Sequence, residues 1–133
     1  MGGELKGRKV AGETTTAMID EIPIVAVLAA FSEGETIIRD AAELRLKESN
    51  RLEAISHNLQ AMNVACGVLE DGLIIEGRKE PSGGDFKSFG DHRIAMAFSI
   101  AALAVVGPST MDGAEAVQVS CPGFYDLLVQ IAR

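Results

Sequence analysis

Lys47-Glu48-Ser49-Asn50-Arg51 places two cations and a carboxylate at the start of an amphipathic helical stretch. Arg51 can grip an oxyanion through two parallel N–H bonds, Lys47 can add a point charge, and Glu48 can move a proton. Gly90-Asp91-His92-Arg93 puts a His–Arg pair in the first turn of a second helix. Cations at helix N-termini run against the macrodipole, which is already positive there. They make sense where a phosphate or carboxylate is held against the free N–H groups. Asp20, in Ile19-Asp20-Glu21-Ile22-Pro23, stands at a third helix mouth. Beside such cations it would stay ionised and could accept a proton from a bound hydroxyl.

Plainer roles exist for each. Asp20 and Asp91 are ordinary N-cap residues. Glu48 and Arg51, spaced i,i+3, would give about 0.2–0.5 kcal/mol as an exposed pair. His57 falls mid-helix and reads as solvated, Cys66 alternates into a hairpin core, and Glu43 and Arg45 read as exposed or half-buried pairs. Cys121, just before Pro122, has no His-based partner nearby to make it a nucleophile.

The elements that position these residues follow from apolar patterning. Leu5–Glu13 has β-like stretches broken by Gly7 and Gly12, and Thr14–Met18 leads into a helix capped by Asp20 and stopped by Gly34. Glu35–Arg39 reads as a strand and Leu44–Leu46 as a short extended piece. Leu52, Ile55, Leu59 and Met62 mark a helix over about 48–62. Val64–Leu69 and Leu73–Glu76 flank Asp71-Gly72 as a hairpin, and 78–87 reads as a loop. Ile94–Val106 is apolar on nearly all sides but short of the roughly 20 residues of a membrane span, so it is a buried core helix. It ends at Gly107-Pro108; a strand over Ser109–Met111 follows, and Pro122 starts a last helix.

A shift of 73 residues lays this order on itself, matching Gly34 to Gly107, Ala29 to Ala102 and Asp20 to Arg93. The repeat units are expected at about 14–77 and 87–133. The second copy lacks the hairpin of the first, so the chain is expected to be incomplete by itself. Equivalent buried helices packed side by side should open on one face, bringing Asp20 and Arg93 together.

Composition limits the partners. Nineteen acidic residues against 12 basic give a net charge of −7 and a pI near 4.8. Such a surface repels nucleic acid and anionic membranes. Two cysteines cannot form a disulfide framework or a four-ligand zinc site, and without a secretory signal they suit a reducing, cytoplasmic compartment.

Ile-Asp-Glu-Ile-Pro at 19–23, Glu-Leu-Arg-Leu-Lys-Glu-Ser-Asn-Arg at 43–51, Gly-Asp-His-Arg-Ile-Ala-Met at 90–96 and Pro-Gly-Phe at 122–124 resemble the 3-phosphoshikimate 1-carboxyvinyltransferase (EPSP synthase) family. The resemblance runs from about Leu5 to Arg133. The sister UDP-N-acetylglucosamine enolpyruvyl transferases share the fold but lack the second and third motifs. The resemblance implies an α/β chain, part of an inside-out α/β barrel, with about two βαβαββ-type repeats, parallel buried helices and sheets outside. The chain would form roughly the last third of the enzyme, in its C-terminal domain. The family joins the 5-hydroxyl of shikimate 3-phosphate to C2 of phosphoenolpyruvate and expels phosphate.

By that resemblance, Asp20 contacts the shikimate hydroxyls and is the proton acceptor, and Lys47 contacts shikimate 3-phosphate. Glu48 takes part in proton transfer at the enolpyruvyl carbon. Arg51 and Arg93 bind phosphoenolpyruvate, and His92 lines that site. Neither a metal nor an organic cofactor is implied, and the N-terminal part of the enzyme is the implied partner. Two positions depart from the family pattern. Asn50 replaces the usual Asp behind Arg51, and Val119 stands where some members carry a phosphoenolpyruvate-binding Lys. The alternative is a non-catalytic anion-binding or interaction module that retains the fold.

Overall fold

Two helices that are apolar on nearly every side set the centre of the fold. The computed structural model describes residues 9–77, 80–105 and 107–113. The elements in chain order are β1 (Lys9–Val10), α1 (Gly12–Ala17), a 3-10 turn (Ile19–Glu21), α2 (Ile22–Ala30), β2 (Glu35–Ile38), a 3-10 helix (Ala42–Leu46), α3 (Arg51–Ala61), β3 (Ala65–Leu69), β4 (Gly72–Glu76), β5 (Asp85–Lys87), α4 (His92–Ala104) and β6 (Thr110–Asp112).

α2 packs against both α3 and α4, and Ile22, Ile55, Leu59, Ile94 and Phe98 are fully buried between these helices and the sheets. Burying a side chain such as Phe98 contributes about 1.5–3 kcal/mol. One sheet has the order β1-β2-β4-β3, with β1 parallel to β2 and the remaining pairs antiparallel. A second sheet is the parallel pair β5-β6. Each parallel pair is therefore bridged by a buried helix, α2 in one case and α4 in the other. Gly34 and Gly107, matched by the shift of 73, both have positive φ, at 88° and 97°. α3 lies between the sheets and contacts β3 and β5.

Several boundaries differ from the sequence reading. Leu44–Leu46 lies in a 3-10 helix, not an extended piece, with Leu44 buried and Leu46 86% exposed. Two leucines two apart would share a face in a strand, and here they point to opposite environments. Among the described residues the β-like stretch before Glu13 is Lys9–Val10, and helix α1 already starts at Gly12, while Leu5–Arg8 lie outside the described residues. The 78–87 segment contains strand β5, which pairs with β6.

Asp20 does not cap α2. That helix starts at Ile22 without a side-chain cap, and Pro23 in its first turn has no N–H to satisfy. Asp20 sits in the preceding 3-10 turn and spends its carboxylate elsewhere. The hairpin turn falls on Glu70-Asp71, since Leu69 pairs with Gly72. Gly72 belongs to β4, where a Cβ would come within 1.7 Å of the Ile38 carbonyl oxygen. Residues 114–133, including Val119, Cys121 and the Pro-Gly-Phe motif, lie outside the described residues, so the expected last helix and the end of the second repeat do too.

Candidate active site

Arg51 is the first residue of α3, whose N-cap is Asn50, accepting a hydrogen bond from the Glu53 N–H at 3.4 Å. Asn50 thus holds the helix start, while Arg51 is held by other groups. The Arg51 side chain is 2% exposed, so the reading of Glu48 and Arg51 as a solvated surface pair does not stand. A buried guanidinium is tolerated only when its hydrogens are matched. Its Nε donates to Asp91 Oδ2 at 2.7 Å, and Nη2 donates to Asp91 Oδ1 at 3.1 Å. Nη2 also donates to Glu48 at 2.6 Å, and Nη1 to Asp20 at 3.2 Å. The two-pronged edge of Arg51 is thereby given to a residue of the protein, and only its outer edge faces the half-exposed carboxylates of Glu48 and Asp20.

Asp91 is fully buried. It accepts a further bond from Ser49 Oγ at 2.9 Å and caps α4 by accepting from the Arg93 and Ile94 N–H groups. Lys47 completes the cluster, with Nζ 3.4 Å from Asp20. Burial alone would raise the Asp20 pKa. The Lys47 hydrogen bond, with the charges of Lys47, Arg93 and Arg51, outweighs it and holds Asp20 below its ordinary value. Asp91 follows the same logic: burial opposes ionisation, and Arg51, Ser49 and the Arg93 N–H overcome it. For Arg51 burial disfavours the cation, and Asp91, Glu48 and Asp20 more than restore it. Asp20, Asp91 and Arg51 are therefore charged at neutral pH.

Beside the cluster lies an open groove of about 460 Å³ between the mouths of α2 and α4. Asp20, Glu21, His92 and Arg93 form its polar rim, with Ile24 and Met96 among its apolar walls. Arg93 is half-exposed and reaches Glu21 at 3.9 Å. Asp20 belongs to both the groove and the Arg51 cluster. The structure thus brings Asp20, Lys47, Glu48 and Arg51 into direct contact and places His92 and Arg93 on the adjoining rim, with Asp20 and Arg93 at the same end of the domain. In chemical terms this is an ionised carboxylate, a second exposed carboxylate and several cations at two helix mouths, suited to holding an anion beside a proton acceptor.

Asp91, expected only as a helix cap, and Ser49, to which the sequence assigns no role, are both site residues. The signal for Asp91 depends on the burial of Arg51, which appears only in the fold: a buried Arg needs a buried carboxylate, and Asp91 is the acidic residue of the second cationic motif. Elsewhere, His57 is exposed and meets Phe89 edge-on. Arg45 donates to the Leu69 and Glu70 carbonyls instead of pairing with Glu43. Among the described residues no cluster of three or more His, Cys, Asp or Glu could hold a metal ion, and no helix is long and apolar enough to cross a membrane.

The family model for EPSP synthase (3-phosphoshikimate 1-carboxyvinyltransferase) matches residues 3–128. The chain belongs to the EPSP synthase family. A 3-phosphoshikimate 1-carboxyvinyltransferase from Thermosynechococcus vestitus is 50% identical over 128 residues, 96% of this chain and 29% of that protein. One from Desulforamulus reducens is 45% identical over 130 residues, 98% of this chain and 30% of that protein. A solved structure of EPSP synthase from Acinetobacter baumannii superimposes with a TM-score of 0.88 at 40% identity, covering 96% of this chain and 30% of the other. The chain thus spans about 30% of the length of the EPSP synthases it matches, and its α/β architecture is that of the family.

Proposed function

We propose that the Asp20–Lys47–Glu48–Arg51 cluster and the His92–Arg93 rim form one wall of an EPSP synthase active site. The reaction transfers the enolpyruvyl group of phosphoenolpyruvate to the 5-hydroxyl of shikimate 3-phosphate and releases phosphate. O5 bonds to C2 of phosphoenolpyruvate and its proton passes to Asp20, while C3 gains a proton. The C2–O bond to phosphate then breaks and C3 gives a proton up, with Glu48 serving at that carbon. Lys47 faces the 3-phosphate of the shikimate, and Arg51 and Arg93, beside His92, hold phosphoenolpyruvate. The rest of the enzyme, which would close the cleft and supply further phosphate ligands, is the partner of this wall.

The observation that carries this reading is the convergence of three separate motifs on one buried guanidinium. Asp20, Glu48 and Asp91 all bond to Arg51. A chimera tests it, with this chain replacing the matching segment of the Thermosynechococcus vestitus protein. Phosphate release from the two substrates at about 1–100 s⁻¹, within the usual enzyme range, is expected of the chimera and not of the 133 residues alone. A chimera that folds and binds phosphate without turnover would favour the non-catalytic module instead.

A further inference from the structure

We infer that Asp91 is a positioning residue that locks Arg51 and the first turn of α4 into one rigid anion-binding unit. The inference rests on the functional reading above and adds to it a residue with no contact to substrate. Asp91 offers two oxygens, and both are divided between the motifs. Oδ2 takes Arg51 Nε and the Ser49 hydroxyl, at 2.7 and 2.9 Å. Oδ1 takes Arg51 Nη2 at 3.1 Å and the Arg93 N–H at 3.0 Å. A two-pronged carboxylate fixes the plane of a guanidinium as well as its position. The same carboxylate fixes the start of the helix that carries His92 and Arg93.

The separation between Arg51 and Arg93 is therefore set by one side chain. The fully buried carboxylate has no water to exchange with, so the setting is stiff. A simple cap would need only Oδ1. The second oxygen, aimed away from the helix and bound by Arg51 and Ser49, is what a cap does not explain.

Asp91→Asn separates the two roles. The amide keeps Oδ1 for the cap, since Asn caps as well as Asp, but turns N–H groups toward Arg51 Nε and Ser49. In the chimera, KM for phosphoenolpyruvate should rise on the order of 10²-fold, the cost of about 1 Å of misplacement. KM for shikimate 3-phosphate should change by less than about threefold on the same scale. The loss should disappear when Arg51 is already Lys, because Asp91 acts through Arg51. Equal effects on both substrates, or losses that simply multiply, would overturn the proposal.

Ser49→Ala, a milder change to the same oxygen, should shift the same KM in the same direction if Asp91→Asn does not fold. A second readout needs no turnover. In the 133-residue chain, hydrogen exchange at the Arg51 Nε should be slow, and at least about tenfold faster in Asp91→Asn, as for any buried bond released to solvent. If the parent chimera is inactive while this protection is present and lost on substitution, the functional reading fails and the positioning role stands. If Arg51 exchanges like a free arginine in the parent chain, the positioning role fails.

Discussion

Asp91 and Arg51, 40 residues apart in the chain, meet through a two-pronged ion pair in which both side chains are almost wholly out of water. Such a pair adds little over an apolar core, but leaving one member behind is costly. Asp91→Ala should therefore destabilise the chain by about 3–5 kcal/mol, with about 1 kcal/mol more for the lost cap. Urea unfolding measures this as a lower midpoint at an unchanged slope. A loss below about 1 kcal/mol would mean that water reaches Arg51.

Asp20 and Asp91 both have folded pKa values below their ordinary 3.8. For such groups the stabilisation is complete above the unfolded value and is lost as pH falls through the lower folded one. Thermal stability should stay level from pH 7 down to about 5 and drop below about pH 4. Differential scanning calorimetry from pH 7 to 2 follows this, and Asp91→Asn should flatten part of the acid slope.

In the chimera, Asp20→Ala and Glu48→Gln should lower kcat by about 10²–10⁴-fold with smaller effects on KM, as expected of groups that move protons. Arg51→Lys should instead weaken phosphoenolpyruvate binding, because a point charge replaces a planar fork. Full kcat in Glu48→Gln would remove Glu48 from the proton-transfer scheme.

Burial pushes the Cys66 thiol up to about 11, with a partly opposing hydrogen bond from Ser56. Only the thiolate reacts, so Cys66 should resist iodoacetamide at pH 7.5. In a Cys121→Ser background, mass spectrometry should find it unmodified in the folded chain and alkylated in urea.

Two glycines of one hairpin give opposite expectations. A Cβ on Gly72 would lie 1.7 Å from the Ile38 oxygen, whereas one on Gly67 meets nothing within 4 Å. Gly72→Ala should cost about 1–3 kcal/mol or more through forced backbone shifts. Gly67→Ala should be neutral or gain about 0.4–1 kcal/mol from a stiffer unfolded chain. Parallel urea titrations compare the two directly.

Much of this architecture is legible from local patterning. The buried helices announce themselves as nearly continuous apolar runs, and the Leu52–Met62 spacing marks α3. The 3-10 helix at Ala42–Leu46 was hidden because Leu-Arg-Leu imitates a strand, and the burial that breaks the alternation depends on contacts made only in the fold. The same limit applies at the site. Cations against the helix dipole pointed to Lys47, Arg51, His92 and Arg93. Asp91 looked complete as a cap, and nothing local reveals that its second oxygen reaches Arg51. Asp20 shows the converse: its apparent cap is unused, and its carboxylate serves Arg51 and Lys47 instead.

The outer edge of Arg51 is already occupied, by Glu48 at 2.6 Å and Asp20 at 3.2 Å. An incoming anion that uses this edge must turn one of these carboxylates away, so its capture there is a substitution and not an addition. The gain is the difference between two charge-assisted bonds, smaller than either alone. A weakly basic halide has little to offer in that exchange, while a phosphate or carboxylate brings oxygens equal to those it evicts. The evicted carboxylate leaves with its lone pairs free, beside the newcomer, so occupancy and release of a proton acceptor become one event.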